Sequence, residues 1–353
     1  MSSLGNNKNT VNLKKPLTNN GWNSVSGYDP SKLQIVTTNL SGRCTFECPY
    51  CHSDSGEAEK DELKLDSILR IIDQASDLGA KVLWIAGKGE PTIDPNFKEV
   101  VKEANNHKLV TIVSTNAAAI DKNMAKFMYL NNVSPEVKIP TFDREIYNLL
   151  AGKPADSNTY DKFINGLDAL KEAGYGKIID ETNRVTRMSA MILLAKPSYS
   201  GLEEVFKYCN DNNITPSVNQ VIPAGRILKN RTYDKFFVSE EDNKRLFSKA
   251  SAIMGYVLPE EDCQIKKGIF IDTNGNILTD NHGNSCDIQI EGETHLIGNV
   301  NNMSLEEAWS IILGKRENAP KCLYEPHHEP GIFSICQKGL CAIENYKSIS
   351  HKS

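Results

Sequence analysis

Three thiols stand close together in the stretch SGRCTFECPYCHSD: Cys44, Cys48 and Cys51, with three residues in the first gap and two in the second. A loop this short can wrap one [4Fe-4S] cube, each thiolate bonding a different iron. Three ligands leave the fourth iron without a protein ligand, an open position that a structural site avoids and a catalytic site needs. The competing chemistry is a zinc knuckle, for which a tetrahedral ion wants a fourth nearby ligand; His52 is the available one.

The other cysteines bear on the same question. Nine in a chain of 353 residues, an odd number gathered at two places, fit metal ligation in a reducing compartment better than a disulfide framework. The second group is Cys263, Cys286, Cys322, Cys336 and Cys341, whereas Cys209 falls on the apolar face of EEVFKYCNDNN, where a thiol acts as a small hydrophobe. No apolar run reaches the roughly 18 residues of a membrane span, and no apolar h-region opens the chain. A cytoplasmic protein is expected. The net charge of −5, with no Lys/Arg block, lacks the footprint of a nucleic-acid binder.

The elements that must position the thiols follow from the pattern of apolar residues. Residues 1–31 are rich in Asn, Ser, Gly and Lys and read as a polar lead that drapes over the domain or stays mobile. From residue 32 to 228 strands and helices alternate. LQIVTTNL, KVLWIAG, KLVTIVSTN, EVKIP, TRMSAMILLA and TPSVNQVI read as six strands, with amphipathic helices such as LKLDSILRIIDQASDLG between them. Six βα units give a parallel sheet, either a curved partial barrel or an open doubly wound sheet. Reactive groups in such sheets gather where strands end. The thiols follow strand one, GKGEP follows strand two, STN follows strand three and Thr141 follows strand four, so all are expected at one mouth. Residues 229–353 read as a helix and a smaller Cys-rich domain, with GIFIDTNGNILT as a hairpin turning at Asn-Gly and MSLEEAWSIILG as a helix.

The spacing Cys44-x-x-x-Cys48-x-x-Cys51, with aromatic Tyr50 before the last cysteine and a βα series around it, resembles the radical S-adenosylmethionine (radical SAM) superfamily. The resemblance implies a partial (β/α)6 barrel whose open iron chelates S-adenosylmethionine and whose reduced cluster cleaves it to a 5′-deoxyadenosyl radical. AGKGEPTIDP is similar to the family's GGEP element, which carries Gly89, Glu90 and Pro91 over to the methionyl amino group. Lys88 stands where the first Gly of that element would be, and Lys does not take positive φ cheaply. Ser114 and Asn116 become candidates for the methionyl carboxylate or ribose; Ser189 and Asn219 are candidates for ribose and adenine. For these four the plain alternative is a strand-end cap or turn.

The tail, from CQIKKGIFIDTNGNILT to LIGNVNNMSLEEAW, resembles the SPASM or twitch extension, which holds auxiliary [4Fe-4S] clusters. Five cysteines instead of seven, and a four-residue gap between Cys336 and Cys341, depart from the full pattern. One auxiliary cluster on Cys263, Cys286, Cys336 and Cys341 is therefore expected, with zinc as its rival and Cys322 left over as a hydrogen-atom donor, an alternative ligand or an inert buried thiol. The implied partners are a small-molecule or peptide substrate and an external electron donor such as flavodoxin or ferredoxin. The short lead and the single-cluster extension favour oxidation, epimerisation or rearrangement of a sugar, aminoglycoside or other small metabolite. Maturation of a ribosomal peptide is the alternative, and a non-catalytic zinc-binding scaffold is the reading from a different class.

Overall fold

The computed structural model describes residues 14–26, 29, 31–222, 224–256, 258, 268–278 and 296–318. The βα rhythm is realised as β1 Ile35–Thr38, α1 Leu65–Asp77, β2 Val82–Ile85, α2 Phe97–Asn106, β3 Val110–Thr115, α3 Lys122–Leu130 and β4 Val133–Lys138. Next come α4 Arg144–Leu150, α5 Thr159–Ala173, β5 Ser189–Leu194, α6 Leu202–Asp211 and β6 Thr215–Gln220. The helices form for local reasons. Ile68, Ile71, Ile72 and Ala75 make the buried stripe of α1 at i, i+3, i+4 and i+7. Asp121 and Asp143 cap α3 and α4 by accepting from Met124 N–H and Ile146 N–H, and Gly174 stops α5 in the left-handed region.

The six strands pair in parallel and in chain order, β1-β2-β3-β4-β5-β6. A doubly wound sheet reverses its order at a switch point; this one does not, so the arrangement is that of the partial barrel. Alternate residues face opposite ways. Val36, Leu83, Ile85 and Val113 pack with the helices in the main core, while Ile35, Val82, Val110 and Ile112 form a separate cluster on the other face with Trp22, Trp84 and Val25. That second face turns polar toward the strand ends.

Two features differ from the sequence reading, and a third decides between its alternatives. Strand four begins at Val133, three residues ahead of EVKIP, and α4 had no counterpart in it. The strand expected in TRMSAMILLA is divided: Val185–Thr186 pairs with Thr18–Asn19 and Ile178–Asp180 in a small sheet, and only Ser189–Leu194 joins the central one. Residues 14–26 of the polar lead are built into the domain, since Asn20–Ser24 is a helical turn whose Trp22 meets Trp84 edge to face at 4.9 Å.

Beyond β6 lie α7 Arg226–Lys229, α8 Glu240–Met254, β7 Gly268–Ile271, β8 Asn276–Leu278, β9 Leu296–Asn299 and α9 Leu305–Asn318. The hairpin expected around Asn274-Gly275 is present, with Gly275 at φ +84°. β7 pairs in parallel with β1, residue for residue from Gly268 opposite Ile35, so the sheet runs β9-β8-β7-β1-β2-β3-β4-β5-β6. Ile269, Ile271, Ile277 and Trp309 share the main core. Among the described residues no helix is long and apolar enough to cross a membrane.

Candidate active site at the strand ends

The cysteine loop leaves β1 and closes on itself. Cys44 N–H donates to Gly56 O at 2.8 Å and Gly56 N–H to Gly42 O at 3.1 Å, while Cys51 N–H turns back to Cys48 O at 3.0 Å. All three thiols are half-buried. Cys44 Sγ accepts the Phe46 N–H at 3.4 Å, and Cys51 Sγ accepts the Ser55 N–H at 3.4 Å with the Ser53 hydroxyl 3.6 Å away. These donors set the thiols apart. Burial pushes Cys48 up to about 12 and Cys44 above the usual thiol value. Burial also raises Cys51, but the Ser55 N–H and the hydroxyls of Ser53 and Ser55, helped by Lys138, outweigh it and hold this thiol below the usual value. Burial disfavours the Cys48 thiolate, and the nearby positive charge of Lys138 favours it.

Tyr50 packs its ring on Phe236, centroids 6.0 Å apart, and its hydroxyl interacts with Cys48. Lys138, a half-buried cation near the end of β4, faces the loop. Burial acts to lower its pKa, but Glu90 and then the three cysteines raise it above the ordinary lysine value. Among the described residues no group of three or more His, Cys, Asp or Glu is drawn around one point for a single ion.

The GKGEP turn lies against this loop. Positive φ occurs at Gly87 (+112°) and Gly89 (+82°) but not at Lys88, so the substitution in the glycine element leaves its conformation intact. A Cβ on Gly89 would sit 2.1 Å from Ser41 O, which is why only glycine fits there. Gly89 N–H donates to Ser55 Oγ at 2.9 Å and Glu90 N–H to Arg43 O at 2.7 Å. The Glu90 carboxylate turns inward. It accepts the Thr92 hydroxyl and the Thr115 hydroxyl, each at 2.6 Å, and the Asn116 N–H at 2.7 Å, tying the ends of β2 and β3 together. What this element offers the mouth is main chain.

The four weaker candidates divide. Ser114 donates to Glu136 Oε2 at 2.8 Å and receives Trp84 Nε1–H at 3.2 Å. Asn116 caps the next turn, its Oδ1 accepting Ala118 N–H at 3.0 Å. Ser189 opens β5 and accepts from Asn19 Nδ2 of the lead segment at 3.3 Å; Asn219, half-buried near the end of β6, reaches Ser217 Oγ at 3.4 Å. Thr141 accepts Asp143 N–H at 3.1 Å and is a turn cap. Sequence reasoning missed Glu136 and Lys138. The signal was there, because polar residues at 134, 136 and 138 of one strand share a face. A polar cavity of about 300 Å³ opens beside the loop, lined by Asn39, His52, Ser53, Lys88, Phe270 and Asn274 among others. Cys263, Cys286, Cys322, Cys336 and Cys341, with Tyr324, His327 and His328, lie outside the described residues.

Comparison with known proteins agrees with this geometry. Residues 38–189 match the Radical SAM superfamily, a span that takes in the cysteine loop, the glycine turn and β2 to β4. Among curated proteins, the chain is 26% identical over 170 residues to GTP 3′,8-cyclase of Haemophilus influenzae, covering 46% of this chain and 48% of that protein. It is 24% identical over 213 residues to the mycofactocin maturase MftC of Mycolicibacterium smegmatis, covering 60% and 50%. The chain thus spans about half the length of these relatives. Among solved structures, SuiB of Streptococcus suis bound to the precursor peptide SuiA matches with a TM-score of 0.64 at 18% identity, over 87% of this chain and 76% of that one. The structure of anSMEcpe with bound AdoMet matches with a TM-score of 0.58 at 12% identity, over 88% and 96%. The thiols on the loop after β1, the glycine turn against them and the sheet order of the partial barrel all belong to or adjoin the segment 38–189, which matches the Radical SAM superfamily.

Proposed function

We propose that this protein binds a [4Fe-4S] cluster on Cys44, Cys48 and Cys51, cleaves S-adenosylmethionine reductively and uses the resulting radical to take hydrogen from a substrate carbon. The observation that carries the reading is the juxtaposition of three thiols on one closed loop with the glycine turn at Gly87–Gly89. When bound, the cluster supplies one electron to the sulfonium of S-adenosylmethionine, releasing methionine and a 5′-deoxyadenosyl radical.

The chain's own residues do the rest. The three thiolates hold three irons, the Ser55 and Phe46 N–H groups disperse charge on Cys51 and Cys44, and Tyr50 supports the loop. The main chain of Gly89, Glu90 and Pro91 is the proposed partner of the methionyl amino group, with the Glu90 carboxylate fixing that segment from behind. Lys138, facing the loop, supplies positive charge suited to the methionyl carboxylate. Ser114 with Glu136 suits ribose hydroxyls, while Asn116, Ser189 and Asn219 are assigned to the nucleoside side of the site. In the tail, Cys263, Cys286, Cys336 and Cys341 are proposed ligands of one auxiliary cluster, with Cys322 as a possible hydrogen-atom donor.

A polar, hydrogen-bonding substrate fits the amide- and hydroxyl-rich cavity beside the loop, which supports a sugar, aminoglycoside or similar metabolite. A peptide substrate is the second reading, favoured by the likeness to a maturase and to SuiB with its precursor peptide. An external reductant such as flavodoxin or ferredoxin would supply the electron.

The test is anaerobic reconstitution followed by iron analysis and a search for 5′-deoxyadenosine after reduction with dithionite and S-adenosylmethionine. The expected result is about eight irons per chain, falling to about four when Cys44, Cys48 and Cys51 are all Ala, with 5′-deoxyadenosine formed only by the unaltered protein. Four falling to none would restrict the clusters to the barrel. Iron in neither form would overturn the reading in favour of a zinc-binding scaffold.

A further inference from the structure

The motif that follows β6 was not absorbed by the site described above. Gly225 and Arg226 reach back across the mouth to the cysteine loop, more than 170 positions earlier in the chain. The Arg226 guanidinium donates through Nε to Asp54 Oδ1 at 3.0 Å, through one terminal nitrogen to Cys48 O at 3.0 Å and through the other to Ser55 O at 2.5 Å. Its own main-chain N–H donates to Cys51 O at 2.9 Å. The carbonyls of two thiol-bearing residues, Cys48 and Cys51, are therefore both held by one residue. The side chain is only 18% exposed. Gly225, at φ +57°, lies so close to the loop that a Cβ would come within 2.3 Å of His52 O. Lys229, one helical turn on, pairs with the other oxygen of Asp54, a residue itself held at φ +49°.

An ordinary surface ion pair would explain the bond to Asp54 and nothing more. It would not place the remaining donors of the same fork on two main-chain carbonyls of the loop, nor require glycine beside it. A planar guanidinium with five fixed donors suits this task and an ammonium does not. The position in the fold adds a reason. β1 and β6 are the first and last strands of the βα series and are not neighbours in the sheet, so hydrogen bonds between the segments that follow them span the mouth without a strand pair to join them.

We infer that Arg226 is a positioning residue that fixes the Cys48–Ser55 half of the cluster loop against the end of β6, and so sets where the open iron stands relative to S-adenosylmethionine. The inference rests on the proposed cluster on Cys44, Cys48 and Cys51.

The experiment compares full-length, anaerobically reconstituted wild type with Arg226→Gln, Arg226→Lys and Lys229→Gln. It follows iron release to a strong chelator, the electron paramagnetic resonance signal of the reduced cluster with and without S-adenosylmethionine, and the thermal midpoint. Outer partners of metal ligands typically alter metal retention by about ten- to a hundred-fold. Arg226→Gln is expected to lose iron at least about ten-fold faster and to lose or broaden the shift that S-adenosylmethionine induces in the signal. Arg226→Lys should fall between, and Lys229→Gln, whose side chain pairs with Asp54 and makes no bond to a cysteine carbonyl among the described residues, should stay within about two-fold of wild type. If Arg226→Gln does not fold, Arg226→Lys at a near-wild-type thermal midpoint carries the comparison. Unchanged iron release together with an unchanged signal in both Arg226 variants would overturn the inference. Wild type without iron would instead overturn the cluster reading. In that case hydrogen exchange of the metal-free chain decides: faster exchange of the Cys51–Ser55 amides in Arg226→Gln upholds the clamp, and equal exchange removes it.

Discussion

Gly89 and Lys88 are neighbours in one turn, yet their backbones carry opposite constraints. Gly89 has both positive φ and no room, with Ser41 O 2.1 Å and Arg43 O 2.9 Å from where a Cβ would stand. Lys88 has neither restriction; its N–H donates to Asn39 Oδ1 at 2.7 Å and its ammonium pairs with Glu59, which also accepts from Thr273 at 2.7 Å. The two positions should therefore respond to substitution in opposite measure. Gly89→Ala is expected to destabilise the fold by at least about 1–3 kcal/mol, because it adds backbone strain and a main-chain clash at once. It should also abolish the proposed binding of S-adenosylmethionine, since the loop and the turn can no longer touch. Lys88→Gly restores the glycine pattern of the family element. It removes one partly exposed ion pair and should change stability by no more than about 1 kcal/mol. Urea unfolding of both variants checks the contrast, and a larger loss for Lys88→Gly than for Gly89→Ala would mean that the ion pair, not the turn, holds this corner together.

At the scale of elements, the βα rhythm was legible because each strand and helix states its own period over a dozen neighbouring residues, as Ile68, Ile71, Ile72 and Ala75 do in α1. The cysteine loop and the Asn274-Gly275 turn were legible for the same local reason. What escaped is held by partners distant in sequence. α4 is seven residues long, too short to display a period, and its cap by Asp143 is visible only once the turn at Thr141 is built. Arg226 is an unremarkable basic residue until Cys48 and Ser55 stand beside it. The polar lead is the clearest case. Composition left residues 14–26 either draped over the domain or mobile, and only the folded chain decides for the first: Gly21 lies where a Cβ would strike Ile112 at 2.4 Å, and Trp22 meets Trp84 edge to face. This turn covers the apolar patch formed by Ile35, Val82, Val110 and Ile112 on the face of the sheet away from the helices. Trp22→Ala should then cost roughly 1–3 kcal/mol, the burial of part of an indole plus an aromatic pair. Urea unfolding should show a lower midpoint with an unchanged slope. A midpoint within error of wild type would return the lead to the status of an attached but idle segment.

For the whole molecule, the arrangement of β7 on β1 bears on how the tail relates to the barrel. Composition set residues 229–353 apart as a smaller domain, and an independent module of that kind would leave the six-stranded sheet complete without it. The pairing points elsewhere for the described part. Gly268 to Ile271 run parallel to Ile35 to Thr38, and a Cβ on Gly268 would meet Ile35 O at 2.4 Å, so the two backbones are in close register. Ile269, Ile271 and Ile277 enter the main core, and α9 docks on α1, with Leu305 N–H donating to Gln74 Oε1 at 2.8 Å and Trp309 Nε1–H to Ser31 O at 3.2 Å. Each buried isoleucine contributes about 1.5–3 kcal/mol, so removal of these elements takes away several kcal/mol, a large share of ordinary domain stability. It also bares the edge of β1, whose four residues are all buried in the intact chain and carry no charge to deter pairing with another molecule. A chain ended after Tyr256 should consequently unfold at a lower urea concentration and self-associate at micromolar concentration, as read by light scattering on a sizing column. A truncated chain that stays monomeric, with the midpoint of the full protein, would establish that the barrel stands alone and that the tail is an appended module after all.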